Sequence, residues 1–95
     1  MGLATSLWDV SEHLDSEAAI AAYLDAVFED GDPALIKAAI GDVARARGMT
    51  DIARRAGITR AGLYKALADS GNPSFATIAR VMKALGVRLS VSAGS

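Results

Sequence analysis

The sequence contains no cysteine, only two prolines and a single histidine. Without cysteine there is no disulfide, no thiolate zinc site and no cysteine nucleophile. His13 has Asp9 and Glu12 nearby in the sequence, but one histidine cannot build a metal site and no motif places a nucleophile beside it. Glu29 and Asp30 are neighbours in sequence, so on a helix they point apart and form no acid/base pair. The chain is therefore expected not to be an enzyme and to need no metal or cofactor. Aromatic residues make up 5 % of the chain, and Trp8, Tyr23 and Phe28 read as core or interface residues. Long apolar runs are also missing. The longest, AAIAAYL, is far short of the roughly 20 residues that a membrane-spanning helix needs. No basic segment followed by an apolar one opens the chain, so no secretory signal is read. These absences lead to an expectation of a soluble, cytoplasmic protein without membrane association, one small domain in 95 residues.

Positive charge is absent from the first third. Residues 1–32 carry eight carboxylates (Asp9, Glu12, Asp15, Glu17, Asp25, Glu29, Asp30 and Asp32) and no Lys or Arg. Residues 33–95 carry all ten Lys and Arg against Asp42, Asp51 and Asp69. A near-neutral total of −1 thus hides two blocks of opposite sign. Such asymmetry points to two partners, one basic and one polyanionic; the alternative is that each block only solvates its own faces.

What is abundant is alanine within a fraction of 52 % hydrophobic residues, which favours closely packed helices. TSLWDVSEHL has no helical period and reads as an extended arm. Ser16 is placed to cap a helix whose buried stripe is Ile20, Tyr23, Leu24, Val27 and Phe28, with Gly31 as its stop. Asp32 caps a second helix with Pro33 at its first position, a stripe of Ile36, Ala39, Ile40 and Val43, and an end at Gly48. A short helix over 49–56, a turn at Gly57-Ile58-Thr59 and another helix from Arg60 to about Ala68 follow. DSGNP is a loop, and Ser74 caps a last helix with Ile78, Val81, Met82 and Leu85 inward and Gly86 as its stop. In the tail, Val87, Leu89 and Val91 alternate as in a short strand, which must pair with the arm or with a second subunit. The organisation read is an acidic arm and first helix over 1–31, a helical domain over 32–86, and a strand and tail over 87–95.

The stretch GITRAGLYKAL, residues 57–67, separates two glycines by four residues, as a phosphate-binding loop does. That loop needs Lys then Ser or Thr after its second glycine, to reach phosphate and metal. Leu63 and Tyr64 occupy those places, and no apolar strand precedes Gly57. The spacing instead fits a helix-turn-helix unit. Ile52 and Ala53 supply an anchor and a small residue, Gly57 the turn, and Ile58, Leu63 and Leu67 the core contacts. Thr59 is placed to cap the second helix. Arg60, Ala61, Gly62, Tyr64 and Lys65 are then exposed towards its N-terminal end, from which recognition helices read bases. Arg and Lys suit guanine edges, and Ala61 suits a thymine methyl. Gly62 would let the backbone approach a duplex closely. Arg45, Arg47, Arg54 and Arg55 surround this helix with further positive charge.

From MTDIARRAGITRAGLYKALADSGNPSFATIARVMKALGV the chain resembles the lambda-repressor-like (XRE/Cro) helix-turn-helix superfamily. Over the wider stretch, WDVSEHL through AAYLDAVFEDGDPALIKAAIGDVARARGM to ALGVRLSV, it resembles the HigA-like antitoxins of addiction modules. The resemblance covers nearly the whole chain, and GNPSFATI with ALGV is its more specific part. It implies an all-α fold: a five-helix lambda-repressor-like DNA-binding domain with an extended N-terminal arm and a short C-terminal strand. It also implies an antitoxin that binds a small, basic RelE/ParE-superfamily toxin and, as a homodimer on double-stranded operator DNA, represses its own operon. Carried over by position, Arg60, Ala61 and Lys65 fall on base-facing sites, with Gly62 and Tyr64 beside them. Asn72, Pro73 and Ser74 fall on the phosphate-contacting region, and Arg54, Arg55 and Thr59 complete the expected DNA-binding set. Ala61 and Gly62 offer fewer hydrogen bonds than the family's recognition helices usually do, which shifts specificity towards few contacts or DNA shape. The acidic block is assigned to the toxin through Asp25, Glu29 and Asp30, with Trp8 as an apolar anchor. A stand-alone phage-type repressor without a toxin partner is the alternative, and the acidic first third, which a minimal repressor does not require, distinguishes the two.

Overall fold

The computed structural model describes residues 16–94, and every structural statement below concerns that span. It contains five helices: α1 (Glu17–Asp30), α2 (Pro33–Arg47), α3 (Met49–Ala56), α4 (Arg60–Leu67) and α5 (Phe75–Ala84). Four of them begin on a side chain that satisfies an otherwise unpaired amide of the first turn. The Ser16 hydroxyl accepts from the Ala19 amide at 3.1 Å, and an Asp32 carboxylate oxygen accepts from the Ala34 amide at 3.0 Å. Thr59 Oγ1 accepts from the Gly62 amide at 2.9 Å, and Ser74 Oγ accepts from the Thr77 amide at 3.1 Å. α3 has no side-chain cap and starts directly at Gly48, where α2 stops.

The helices meet around a wholly apolar centre. Ile20 of α1, Ile40 and Val43 of α2, Leu63 of α4 and Val81 of α5 are its largest fully enclosed side chains, and α3 adds Ile52 and Ala53. Truncating one of the larger of these to alanine would cost about 2–5 kcal/mol, from lost burial and from the cavity left behind. Small residues set how closely the helices approach. Ala53 and Ala56 of α3 and Ala84 of α5 are buried, and α3 packs against α5 as well as α4. α2 packs against α1, α3 and α4 and so braces the molecule. No charged or polar residue is buried among the described residues, so apolar burial rather than ion pairing holds the fold.

The turn between α3 and α4 rests on Gly57, whose φ of 75° is left-handed and whose amide donates to the Arg54 carbonyl at 3.2 Å. Ile58 follows half-buried against the core, and Thr59 opens α4. α4 is one residue shorter than its sequence pattern predicts, because Ala68 leaves the helical conformation at φ −70°, ψ 159°.

The expected C-terminal strand is not formed. Residues 87–94 carry no regular secondary structure, and no strand is present among the described residues. An isolated strand leaves its backbone groups unpaired, and nothing described here lies alongside to pair with it. The alternation has a different consequence. Val87 packs against the core, Leu89 lines a groove beside α1, and Val91 is 99 % exposed. The expected arm, Trp8 included, lies outside the described residues.

Candidate nucleic-acid and partner surfaces

The turn after α3 and the Thr59 cap orient α4 so that Leu63 and Leu67 face the core and Arg60, Ala61, Tyr64 and Lys65 face solvent. Arg60 occupies the first position of the helix. Its guanidinium carbon lies 5.2 Å from the centroid of the Tyr64 ring, and Nη2 donates to the Tyr64 hydroxyl at a long 3.4 Å. The ring face attracts the cation and holds the long side chain along the helix surface. Arg60 and Tyr64 thus form one unit, a pairing visible in the sequence only as an i, i+4 spacing.

Gly62 is half-buried at the third helical position, and a Cβ there would stand 2.9 Å from Thr59 Oγ1. The missing side chain therefore leaves room for the cap, a role the sequence reading did not assign to it. Because Thr59 Oγ1 acts in the cap as an acceptor, its hydroxyl hydrogen is left to donate outward. The Ser74 hydroxyl caps α5 and also lies 3.1 Å from Thr77 Oγ1.

Lys65, Ser70, Asn72 and Pro73 line a notch of about 310 Å³ whose floor includes Gly62 and Ala66. The structure thus brings Lys65 of α4 together with Asn72 of the following loop. Arg54 and Arg55 do not line this notch. Both are on α3 and pair with the same carboxylate: Arg54 Nη2 with Asp51 Oδ1, and Arg55 Nε with Asp51 Oδ2 at 3.0 Å. Arg45 pairs with Asp42 in the same way, at 3.3 Å.

Three features lie outside the sequence-based set. Phe75, directly after the Ser74 cap, is 74 % exposed, an unusual setting for a large aromatic side chain. Arg80 and Lys83, spaced i, i+3 on α5, join Arg55 around a cleft of about 400 Å³. Lys37 of α2 reaches across to the loop before α5 and donates to two of its backbone carbonyl oxygens, at 2.8 and 2.7 Å. No periodicity signals that last contact, since the partners are backbone atoms more than thirty residues away.

On the other side of the charge division, Asp25, Glu29 and Asp30 are all exposed on α1. Asp25 lines a groove of about 420 Å³ with Phe28, Arg88 and Leu89, between α1 and the C-terminal segment. Glu29 and Asp30 are the last two residues of α1, and no cation accompanies them in that turn. Tyr23, half-buried between α1 and α2, has its phenol pKa raised by burial and, secondarily, by the negative charge of Asp42. It reads as packing rather than chemistry. No cluster of three or more potential metal ligands occurs among the described residues, and none of the described helices is long and apolar enough to cross a membrane.

Fold and surface together define a small all-helical protein with an acidic first helix and a cationic surface around α4. Residues 4–93 match the family of probable addiction module antidote proteins, and the chain belongs to that family. It is also 54 % identical over 84 residues to an uncharacterized protein of Haemophilus influenzae strain Rd, covering 88 % of this chain and 87 % of that protein. No solved structure matches the chain. Membership places it among the antidotes of toxin–antitoxin systems, whose partner in general is a toxin.

Proposed function

We propose that this antidote neutralises a small, basic RelE/ParE-like toxin and represses its own operon by binding operator DNA as a homodimer, α3 and α4 acting as a helix-turn-helix. The observation that carries the DNA half is the outward face of α4, where Arg60, Ala61, Tyr64 and Lys65 are exposed, with Asn72 and Pro73 of the next loop beside Lys65. An exposed helix of this size fits a major groove. Arg60 and Lys65 can reach guanine edges, Ala61 a thymine methyl, and Thr59 and Ser74 can donate hydroxyl hydrogens to phosphate. Arg54 and Arg55 add positive potential near the backbone, reduced by their shared partner Asp51. A dimer is proposed because two-fold proteins match two half-sites one helical turn apart. The tail offers exposed Leu89 and Val91 for joining subunits, where a second copy would supply the pairing that the described residues do not.

The toxin half rests on family membership and on α1, whose carboxylates supply the negative surface that a basic toxin requires. Trp8, outside the described residues, is proposed as the apolar anchor of that contact. Co-expression with the reading frame adjacent to this one, followed by pull-down and by a mobility shift on the upstream DNA, tests both halves. The expected result is a stable protein complex and a salt-sensitive shift containing two copies of this chain. Absence of a co-purifying toxin with an intact shift would favour the stand-alone repressor instead.

A further inference from the structure

The segment joining α4 to α5 has no helix of its own, yet its path is fixed from two sides. From one side, Lys37 Nζ donates to the Asp69 carbonyl oxygen at 2.8 Å and to the Gly71 carbonyl oxygen at 2.7 Å. From the other, the backbone at Gly71 sits so close to α4 that a Cβ there would overlap the carbonyl oxygens of Lys65 and Ala66. The Gly71 amide also donates to the Ala68 carbonyl at 2.8 Å. Lys37 is half-buried, and holding an ammonium out of water costs free energy unless its donors are met. Here they are met by backbone carbonyls, and no carboxylate forms a salt bridge with Lys37 among the described residues. The fold thus uses a cation to fix the shape of a loop. Its stem is anchored on α2, whose Ala39 and Ile40 are embedded in the core.

We propose that Lys37 is the positioning residue of the notch between α4 and this loop, a latch that holds Asn72 across from Lys65 so that the two can share a duplex phosphodiester. The inference rests on the DNA-binding reading given above. Lys37 itself touches no ligand. It acts through the loop, because two carbonyls held by one ammonium leave the following residues little freedom, and preorganised donors bind without the entropy of ordering them.

Two full-length variants separate this role from simple bracing. Lys37→Met keeps the length and apolar stem of the side chain but removes the donors, and Lys37→Arg keeps the charge and several donors. Two quantities are read: hydrogen exchange of the Gly71 amide without DNA, and binding to duplex from upstream of the chain's own reading frame as a function of salt. The Met variant is expected to exchange at Gly71 about tenfold faster while remaining folded. It should bind the duplex about tenfold more weakly with a salt slope close to the parent's, because the displaced loop donors are neutral and Lys65 stays on α4. The Arg variant should recover most of both. Parent-like exchange in the Met variant would overturn the latch. Faster exchange with unchanged affinity would overturn its positioning role. A parent chain that binds no duplex would sink the DNA reading and the positioning role with it, while exchange would still report whether the latch exists.

Discussion

The acidic first helix and the cationic segment from α2 to α4 treat their charges in opposite ways. In the cationic segment most charges sit where a helix favours them. Arg45 and Arg47 are in the last turn of α2 and Arg54 and Arg55 in the last turn of α3, at the negative ends of the helix dipoles. Arg45, Arg54 and Arg55 also pair with a carboxylate one turn away. Local stability is enough to account for them, so their presence says little about DNA. At the end of α1 the arrangement is reversed. Glu29 and Asp30 lie at the negative end of the dipole with no cation in the same turn, which costs about 0.3–1 kcal/mol each. Arg60 is the matching exception among the cations, a positive charge at the positive end of α4, offset in part by the Tyr64 ring. Charges that oppose the fold's own electrostatics are the better functional signals. By that criterion Arg60, Glu29 and Asp30 stand above Arg54 and Arg55.

The largest expected effect comes from α4. Changing Arg60 and Lys65 to alanine should each weaken binding to cognate DNA by about 1–3 kcal/mol, while Arg54→Ala should mainly reduce the salt slope. Thermal stability should hardly move in the Arg60 variant, since the lost ring contact and the relieved dipole repulsion oppose one another. Mobility shifts over a salt series, with melting curves of the same proteins, check both statements. If Arg54→Ala proves as damaging and as sequence-selective as Arg60→Ala, the distinction drawn between them is wrong. A smaller effect is expected at the caps. Thr59→Ala leaves the Gly62 amide without its acceptor and should cost about 0.5–2 kcal/mol in urea denaturation, whether or not DNA is bound at that face.

Much of this was legible in the sequence because capping and stopping are local. Ser16, Asp32, Thr59 and Ser74 each precede an apolar period of the right spacing, and all four cap the helices expected of them. The stripes that predict burial are likewise periodic, and Ile20, Ile40, Leu63 and Val81 are fully enclosed. What the sequence hid depends on tertiary placement. Alternation at Val87, Leu89 and Val91 signals an extended chain but cannot supply the second strand that pairing needs, and none forms in the described residues. The Lys37 latch joins a side chain to backbone carbonyls, which every residue has, so composition cannot reveal it. Phe75 gave no sign of its exposure, because an aromatic at the first position of a helix is as compatible with a core as with a surface. Of the residues expected to face DNA, Lys65 and Asn72 share the notch, whereas the pairing of Arg54 and Arg55 with Asp51 carries no signal in the motif.

If the function proposed above holds, the acidic end of α1 is kept at a cost to stability because it meets a basic toxin. The double variant Glu29→Lys/Asp30→Lys tests this, its association with the toxin that co-purifies with the parent chain being followed by stopped flow at low salt. Association is expected to be slower by about tenfold or more, because the steering field is reversed, in a protein whose melting temperature rises by a few degrees. Association at the parent rate would contradict it, and would leave the acidic end of α1 as a solvated face.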